Sequence, residues 1–145
     1  MKVVFVIHAL EAAGAERVTA LLANYFAGCG ETVTIVTFTS RDRDFYELHP
    51  SIKRIEIDWL SSSKNLAVWT LATLVRAARL RRALKRIGPD VVISEMRTAN
   101  LVLALSAWPS RSWLAIGTEH IHPPLDPGPR LWIGVRSLVD RKSVV

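Results

Sequence analysis

Hydrophobic and polar positions change their period several times along this chain. Lys2 to Ile7 is an unbroken β-branched and aromatic run, the pattern of a strand covered on both faces. From Gly14 to Ala27 the period lengthens. Val18, Leu21, Leu22, Tyr25 and Phe26 recur at helical spacing, which predicts a helix with these residues on its apolar face. Gly28 and Gly30 supply its stop, because glycine takes the left-handed conformation without a Cβ penalty. Thr32 to Phe38 predicts a second strand. The opening segment therefore reads strand, loop, helix, turn, strand, a crossover unit of almost invariant right hand.

The alternation continues. Arg41 to Pro50 is polar and loop-like, and Ile52 to Ile57 alternates apolar with charged residues, as a strand near a sheet edge does. Ser61, Ser62 and Ser63 offer N-cap chemistry to a long helix from about Asn65 to Ile87, which Gly88-Pro89 stops. Val91 to Ser94 predicts a fourth strand, Thr98 to Ala107 a helix, and Trp113 to Thr118 a fifth strand. Four prolines between Pro123 and Pro129 mark an extended loop before a last helical segment from about Leu131. This order implies an α/β fold, a Rossmann-like doubly wound parallel sheet in three α/β/α layers. Strand order is not readable from the sequence; 3-2-1-4-5 is a guess. The 145 residues form a single domain.

In such sheets ligands bind outside the carboxyl ends of the strands, where the strand order switches. The residues that follow the strands are therefore the candidates: His8 and the loop to Gly14; Thr37 and Thr39; Ser94 and Glu95; Thr118, Glu119, His120 and His122. The first loop, Glu11-Ala12-Ala13-Gly14-Ala15-Glu16-Arg17, is not G-x-G-x-x-G and has no Walker lysine. A small-residue loop opening a helix still suits a phosphate, through backbone N–H groups and the helix dipole. Equally, Gly14 and Ala15 could serve tight strand–helix packing, and Glu16 could compensate the dipole.

Composition narrows the field. Cys29 is the only cysteine, so an internal disulfide and a cysteine-built zinc site are excluded. His120 and His122 lack a third ligand at convincing spacing, so no metal is expected. The five apolar residues Val3 to Ile7 are too few for a secretory signal, and Leu66 to Val75 is too short to span a bilayer. The location expected is cytoplasmic. Half the residues are hydrophobic, which argues against disorder. The formal net charge of +6 concentrates in the long helix: Arg76, Arg79, Arg81, Arg82, Lys85 and Arg86, with no acidic residue among them. On a helical wheel Leu66, Thr70, Thr73, Ala77, Leu80, Leu84 and Ile87 form the inner seam, with Arg76, Arg79, Arg82, Lys85 and Arg86 opposite. Such a set could contact an anionic membrane surface, at the inner face of the bilayer, with Trp59 and Trp69 adding to the anchor. It could also be a solvated arginine-rich face. Nucleic acid is not expected, since no aromatic residues interleave the arginines.

Four short segments, in order, carry a family likeness. Gly14-Ala15-Glu16-Arg17-Val18 directly after strand one resembles the Gly-Gly-x-Glu-Arg opening of family-4 glycosyltransferases of the GT-B type. Gly88 to Ser94 resembles that family's entry into its fourth strand. Ser94-Glu95-Met96 with Asn100 is similar to a Ser-x-Met-x-x-x-Asn pattern, and Glu119-His120 to a Glu-His pair after strand five. The likeness covers Met1 to Arg141. It implies that residues 1–145 are the N-terminal, acceptor-side domain of a two-domain enzyme that retains configuration while moving a hexosyl group. Donor and acceptor would be a nucleotide-sugar and a glycan or lipid-linked acceptor, with no cofactor or obligatory metal. By the same likeness, Ala13 and Gly14 approach the donor phosphates and His120 the transferred sugar; Ala13 stands where the family has its first glycine. His8, Ser94 and Glu119 would line the acceptor cleft.

The donor-binding C-terminal domain, with its Glu-x7-Glu element, is not among these residues, so this chain alone is expected to be inactive, completed by further sequence or a second polypeptide. Arg136 to Val145 is basic and helix-compatible with no stop signal, as in a domain cut short at that end. Two other readings compete: a non-catalytic Rossmann-like binding module that docks on anionic membrane or a partner protein through its basic helix, and a nucleotide-binding domain of another class, such as a reductase.

Overall fold

A computed structural model describes residues 1–57, 66–108 and 112–119. The chain runs β1 (Lys2–Ile7), α1 (Gly14–Gly28), β2 (Thr32–Thr37), a 3-10 turn (Arg41–Arg43), β3 (Lys53–Glu56), α2 (Leu66–Ile87), β4 (Val91–Glu95), α3 (Met96–Ala107) and β5 (Leu114–Thr118). Among the described residues the four strand pairings are parallel, and the order is β3-β2-β1-β4-β5, which agrees with the guess. The predicted last helix and the proline loop lie outside the described residues.

Alternation along the strands divides the core in two. Val4, Val6, Val36, Val92 and Ala115 face Ala77, Leu80 and Leu84 of α2 and Ala99, Val102 and Leu103 of α3. Val3, Phe5, Ile7, Val33 and Ile35 face Ala15, Ala23 and Ala27 of α1. The three α/β/α layers follow from this, because β1 and β2 are buried on both faces. Gly30 and Gly88 follow α1 and α2 at φ of 83° and 60°, where the left-handed turn releases the chain into the next strand.

The face of α1 corrects the sequence reading. Ala15, Thr19, Ala20, Ala23 and Ala27 pack inward, while Val18, Leu21, Leu22 and Tyr25 are exposed; Leu21 is 61% and Tyr25 67% accessible. Of the predicted apolar set only Phe26 packs, its ring centroid 6.3 Å from that of Phe5. The reason is steric. A helix lying directly over the central strands comes close to the backbone, and alanine permits that approach where leucine does not.

The polar segment between β2 and β3 is fastened to α1 and the β1 loop. Asn24 donates to the Glu47 carbonyl (2.9 Å) and accepts from the His49 N–H (2.7 Å), and the Phe45 N–H donates to the Leu10 carbonyl (2.8 Å). Arg54 on β3 grips Asp44 with two bonds, Nε to Oδ2 at 2.9 Å and a terminal nitrogen to Oδ1 at 2.7 Å, and also donates to the Thr37 hydroxyl. Its side chain is almost fully buried, so a charge pair adds to the apolar contacts of Ile55 and Ile57 in holding the edge strand.

The inward alanines of α1 give a direct check. Ala23→Leu should lose about 1–3 kcal/mol in urea unfolding by overpacking, whereas Leu21→Gln should stay within about 0.5 kcal/mol. The reverse ranking would restore the larger apolar residues as the packed face.

Candidate functional site

The carboxyl ends of the strands form one edge. Strand order switches between β1 and β4, so the crevice is flanked by the loop after Ile7 and the junction after Glu95.

On the β1 side the His8 side chain is exposed, its ring centroid 6.2 Å from that of Phe38. The His8 carbonyl accepts from the Phe38 N–H (3.0 Å) and the Thr39 hydroxyl (3.3 Å), which ties the β1 and β2 loops together. Ala9 and Leu10 are buried and anchor the loop. Ala13 is the N-cap of α1 in extended conformation (φ −134°, ψ 174°), and no side chain caps the helix. The Ala13 carbonyl accepts from the Arg17 N–H (3.0 Å) and the Tyr46 hydroxyl (3.0 Å), which fixes the first turn in place. Arg43 pairs with Glu11 at 3.2 Å on the outside of the loop.

Gly14 and Ala15 divide the two roles that the sequence leaves open. Ala15 is buried against the sheet and serves packing. At Gly14 an added Cβ would meet nothing within 4 Å, and its φ is not positive. Neither crowding nor backbone conformation therefore requires glycine there, and a side chain at this position would have room. Glu16 is buried in the first turn, where its charge complements the positive end of the helix.

On the β4 side the structure corrects one assignment. Ser94 is fully buried and its hydroxyl donates to Asn100 Oδ1 at 2.6 Å, so it cannot meet an acceptor. Asn100 Nδ2 donates to the Thr118 carbonyl at 3.0 Å. The Thr118 hydroxyl reaches both the Ser94 carbonyl (3.3 Å) and the Glu95 carboxylate. These four residues brace the ends of β4 and β5 against α3. Glu95, the candidate that follows Ser94, is buried as well. The next residue, Met96, opens α3 at a φ of 71°, a conformation that costs a non-glycine residue about 1–2 kcal/mol. Glu119 lies exposed just beyond β5, and His120 falls outside the described residues, as do His122 and Trp59.

The family model for Glycosyltransferase Family 4 matches residues 12–143. The chain belongs to glycosyltransferase family 4. No curated protein matches it in sequence. Among solved structures it is similar to a glycosyltransferase from Rickettsia africae (TM-score 0.54, 25% identity, covering 79% of this chain and 28% of that one). It is also similar to the lipopolysaccharide outer core galactosyltransferase WaaB (TM-score 0.65, 15% identity, 100% and 45%) and to the glycotransferase of kitacinnamycin (TM-score 0.53, 13% identity, 97% and 34%). This family-4 chain thus spans less than half the length of each of these proteins.

The basic helix of the family-4 domain is not a uniform charged face. Arg76 is only 6% accessible, with its guanidinium carbon 5.9 Å from the centre of the Phe38 ring, so it cannot touch a membrane. Arg79 is half-buried and donates to the Ile57 carbonyl at 3.1 Å. Arg81 donates to the Ser106 and Trp108 carbonyls (2.6 and 2.9 Å), closing the C-terminal end of α3. Arg82, Lys85 and Arg86 remain exposed. Among the described residues no group of three His, Cys, Asp or Glu side chains could hold a metal ion, and no helix is long and apolar enough to cross a membrane.

The brace has a sensitive point. A Cβ on Gly117 would come within 3.2 Å of the Asn100 amide, which Ser94 and Thr118 already hold. Gly117→Ala should therefore destabilise the domain by about 1–3 kcal/mol. Combining it with Asn100→Ala, which vacates that space, should show strong coupling in a double-mutant cycle. Additive losses would mean that Asn100 does not fill the space above Gly117.

Proposed function

We propose that this domain is the acceptor-side half of a retaining hexosyltransferase, which moves a sugar from a nucleotide-sugar to a glycan or lipid-linked acceptor. A donor-binding domain, from further sequence or a second chain, supplies the opposite wall of the cleft. The observation that carries this reading is the first turn of α1, without a side-chain cap, opening at the strand-order switch, with room around the Gly14 Cα. The family membership selects the chemistry.

Charge grows on the departing diphosphate as its bond to the anomeric carbon breaks. The N–H groups of Gly14 and its neighbours, at the positive end of α1, lie fixed before the reaction and stabilise that charge without reorganising. Ala13 contributes its extended backbone, and its methyl group limits the approach compared with glycine. His8 and Glu119 take acceptor hydroxyls, and His120 takes the transferred sugar, an imidazole being able to donate or accept in either tautomer. Ser94 holds β4 in place and makes no ligand contact. The domain works at the cytoplasmic side of a membrane.

The test is kinetic, on the domain joined to a donor-binding half, with nucleotide release followed over a panel of nucleotide-sugars. Gly14→Val should lower kcat/KM about tenfold or more by obstructing the phosphate position, with the melting temperature unchanged because its Cβ meets no neighbour. His120→Ala should lower kcat/KM on a similar scale. The domain alone should show no turnover. Full activity in Gly14→Val would remove α1 from the donor site.

A further inference from the structure

Helix α1 covers one face of the sheet with its alanines, and its own outer face is bare. Val18, Leu21, Leu22 and Tyr25 are exposed there, within about 100° of the helical wheel. No charged residue occurs between Val18 and Gly30. The one amide in that stretch, Asn24, is engaged by Glu47 and His49. The flanking segment adds Phe45, which is 68% accessible and held by its N–H to the Leu10 carbonyl. Scattered apolar residues on a surface need no explanation, but a contiguous apolar stripe without charge marks an interaction site.

Charge and position identify the occupant. Helix α2 carries six basic residues and no acidic one, equal to the entire formal excess of +6. It packs on the opposite face of the sheet from α1. Two copies that meet through α1 therefore keep their basic helices apart, with both sheets between them. A charged partner protein finds nothing to pair with along the stripe. The chain beyond β5 is not the cover either, because a right-handed crossover continuing outward from β5 returns over the face of α3.

The spacing of the stripe is self-complementary. Its four positions are symmetric about the point between Leu21 and Leu22, near the middle of the 15-residue helix. A twofold axis there, with the helices antiparallel, sets Leu21 against Leu21 of the second copy, and Leu22 likewise. Val18 then meets Tyr25 of the second copy, the smallest side chain of the stripe opposite the largest. Antiparallel helices also oppose their dipoles. The exposed Arg17 comes over the last turn of the other helix, which has no basic residue of its own.

We propose that this chain forms an isologous dimer through the outer face of α1, with Val18, Leu21, Leu22 and Tyr25 as its apolar centre. A stable dimer buries about 800 Å² on each partner, more than one helix face alone, so the adjoining segment with Phe45 forms part of the interface. The first turns of the two α1 helices point to opposite ends of the pair, and each crevice lies at its own end. The pairing does not depend on the transferase reading.

Sedimentation velocity over a range of chain concentrations tests it. The chain should show a reversible monomer–dimer equilibrium. Leu21→Glu should raise the dissociation constant about a hundredfold or more, because the substitution enters twice and brings like charges together at the axis. Its helix content and the unfolding of the dissociated chain should not change, since Leu21 is exposed in the single chain. Leu71→Glu with Leu74→Glu, exposed on α2, should leave the dissociation constant as it is. Register is read by oxidation in a Cys29→Ser background. Val18→Cys and Tyr25→Cys chains should form a disulfide with each other and not with themselves, because like positions lie about 10 Å apart along the helix. A chain that stays monomeric, a dimer that survives Leu21→Glu or is lost in the α2 variant, or Val18→Cys chains that link to themselves would each overturn the proposal. No sugar or nucleotide enters these measurements, so a failed transferase assay leaves their result standing.

Discussion

Every feature of the crevice depends on β1 being hydrogen-bonded in parallel on both sides. Val4 stands in register with Thr34 of β2 and Val92 of β4, and Phe5 with Ile35 and Ile93. A strand so placed has neighbours along both edges and helices over both faces, which only an unbroken apolar run satisfies. Parallel pairing then brings the carboxyl ends of all five strands to one edge. Because β1 leads left through α1 and β4 leads right through α3, the chain parts at that edge and leaves a crevice between them.

The two walls of the crevice are built differently. On the β1 side, backbone and small residues do the work: an extended Ala13, an open Gly14 and a helix end without a side-chain cap. On the β4 side, polar side chains are buried and bonded to one another, and Met96 holds a left-handed conformation beside them. A half-satisfied polar cluster would weaken the domain, so these bonds keep the β4–β5 end in place.

Much of the fold was legible because run length and period are strong signals: the strands and the helices between them follow from both, whereas the strand order, which neither encodes, rests on the habit of doubly wound folds. What failed has physical causes. Alanines carry little weight in an apolar pattern, so the large residues of α1 drew attention away from Ala23 and Ala27. Arg76 reads as a surface charge, yet its long apolar stem and planar guanidinium allow burial over Phe38. Ser94 follows the rule that polar residues end strands at the ligand edge, but its partner six residues on absorbs its hydroxyl. The start of α3 was placed two residues late, because no residue type announces the left-handed turn at Met96. The likeness to family 4 picked out Ser94, Met96 and Asn100 as a pattern; only the structure shows that Ser94 and Asn100 form a brace.

The central claim is that ligand enters at the β1–β4 switch, before the first turn of α1. Amide chemical-shift mapping of this chain during titration with a nucleoside diphosphate sugar tests it most directly. The largest shifts should fall on Ala13, Gly14 and Ala15, at the first turn of α1. Shifts centred on Lys2, Asp90 and the amino edge of the sheet, with Gly14 unmoved, would contradict it.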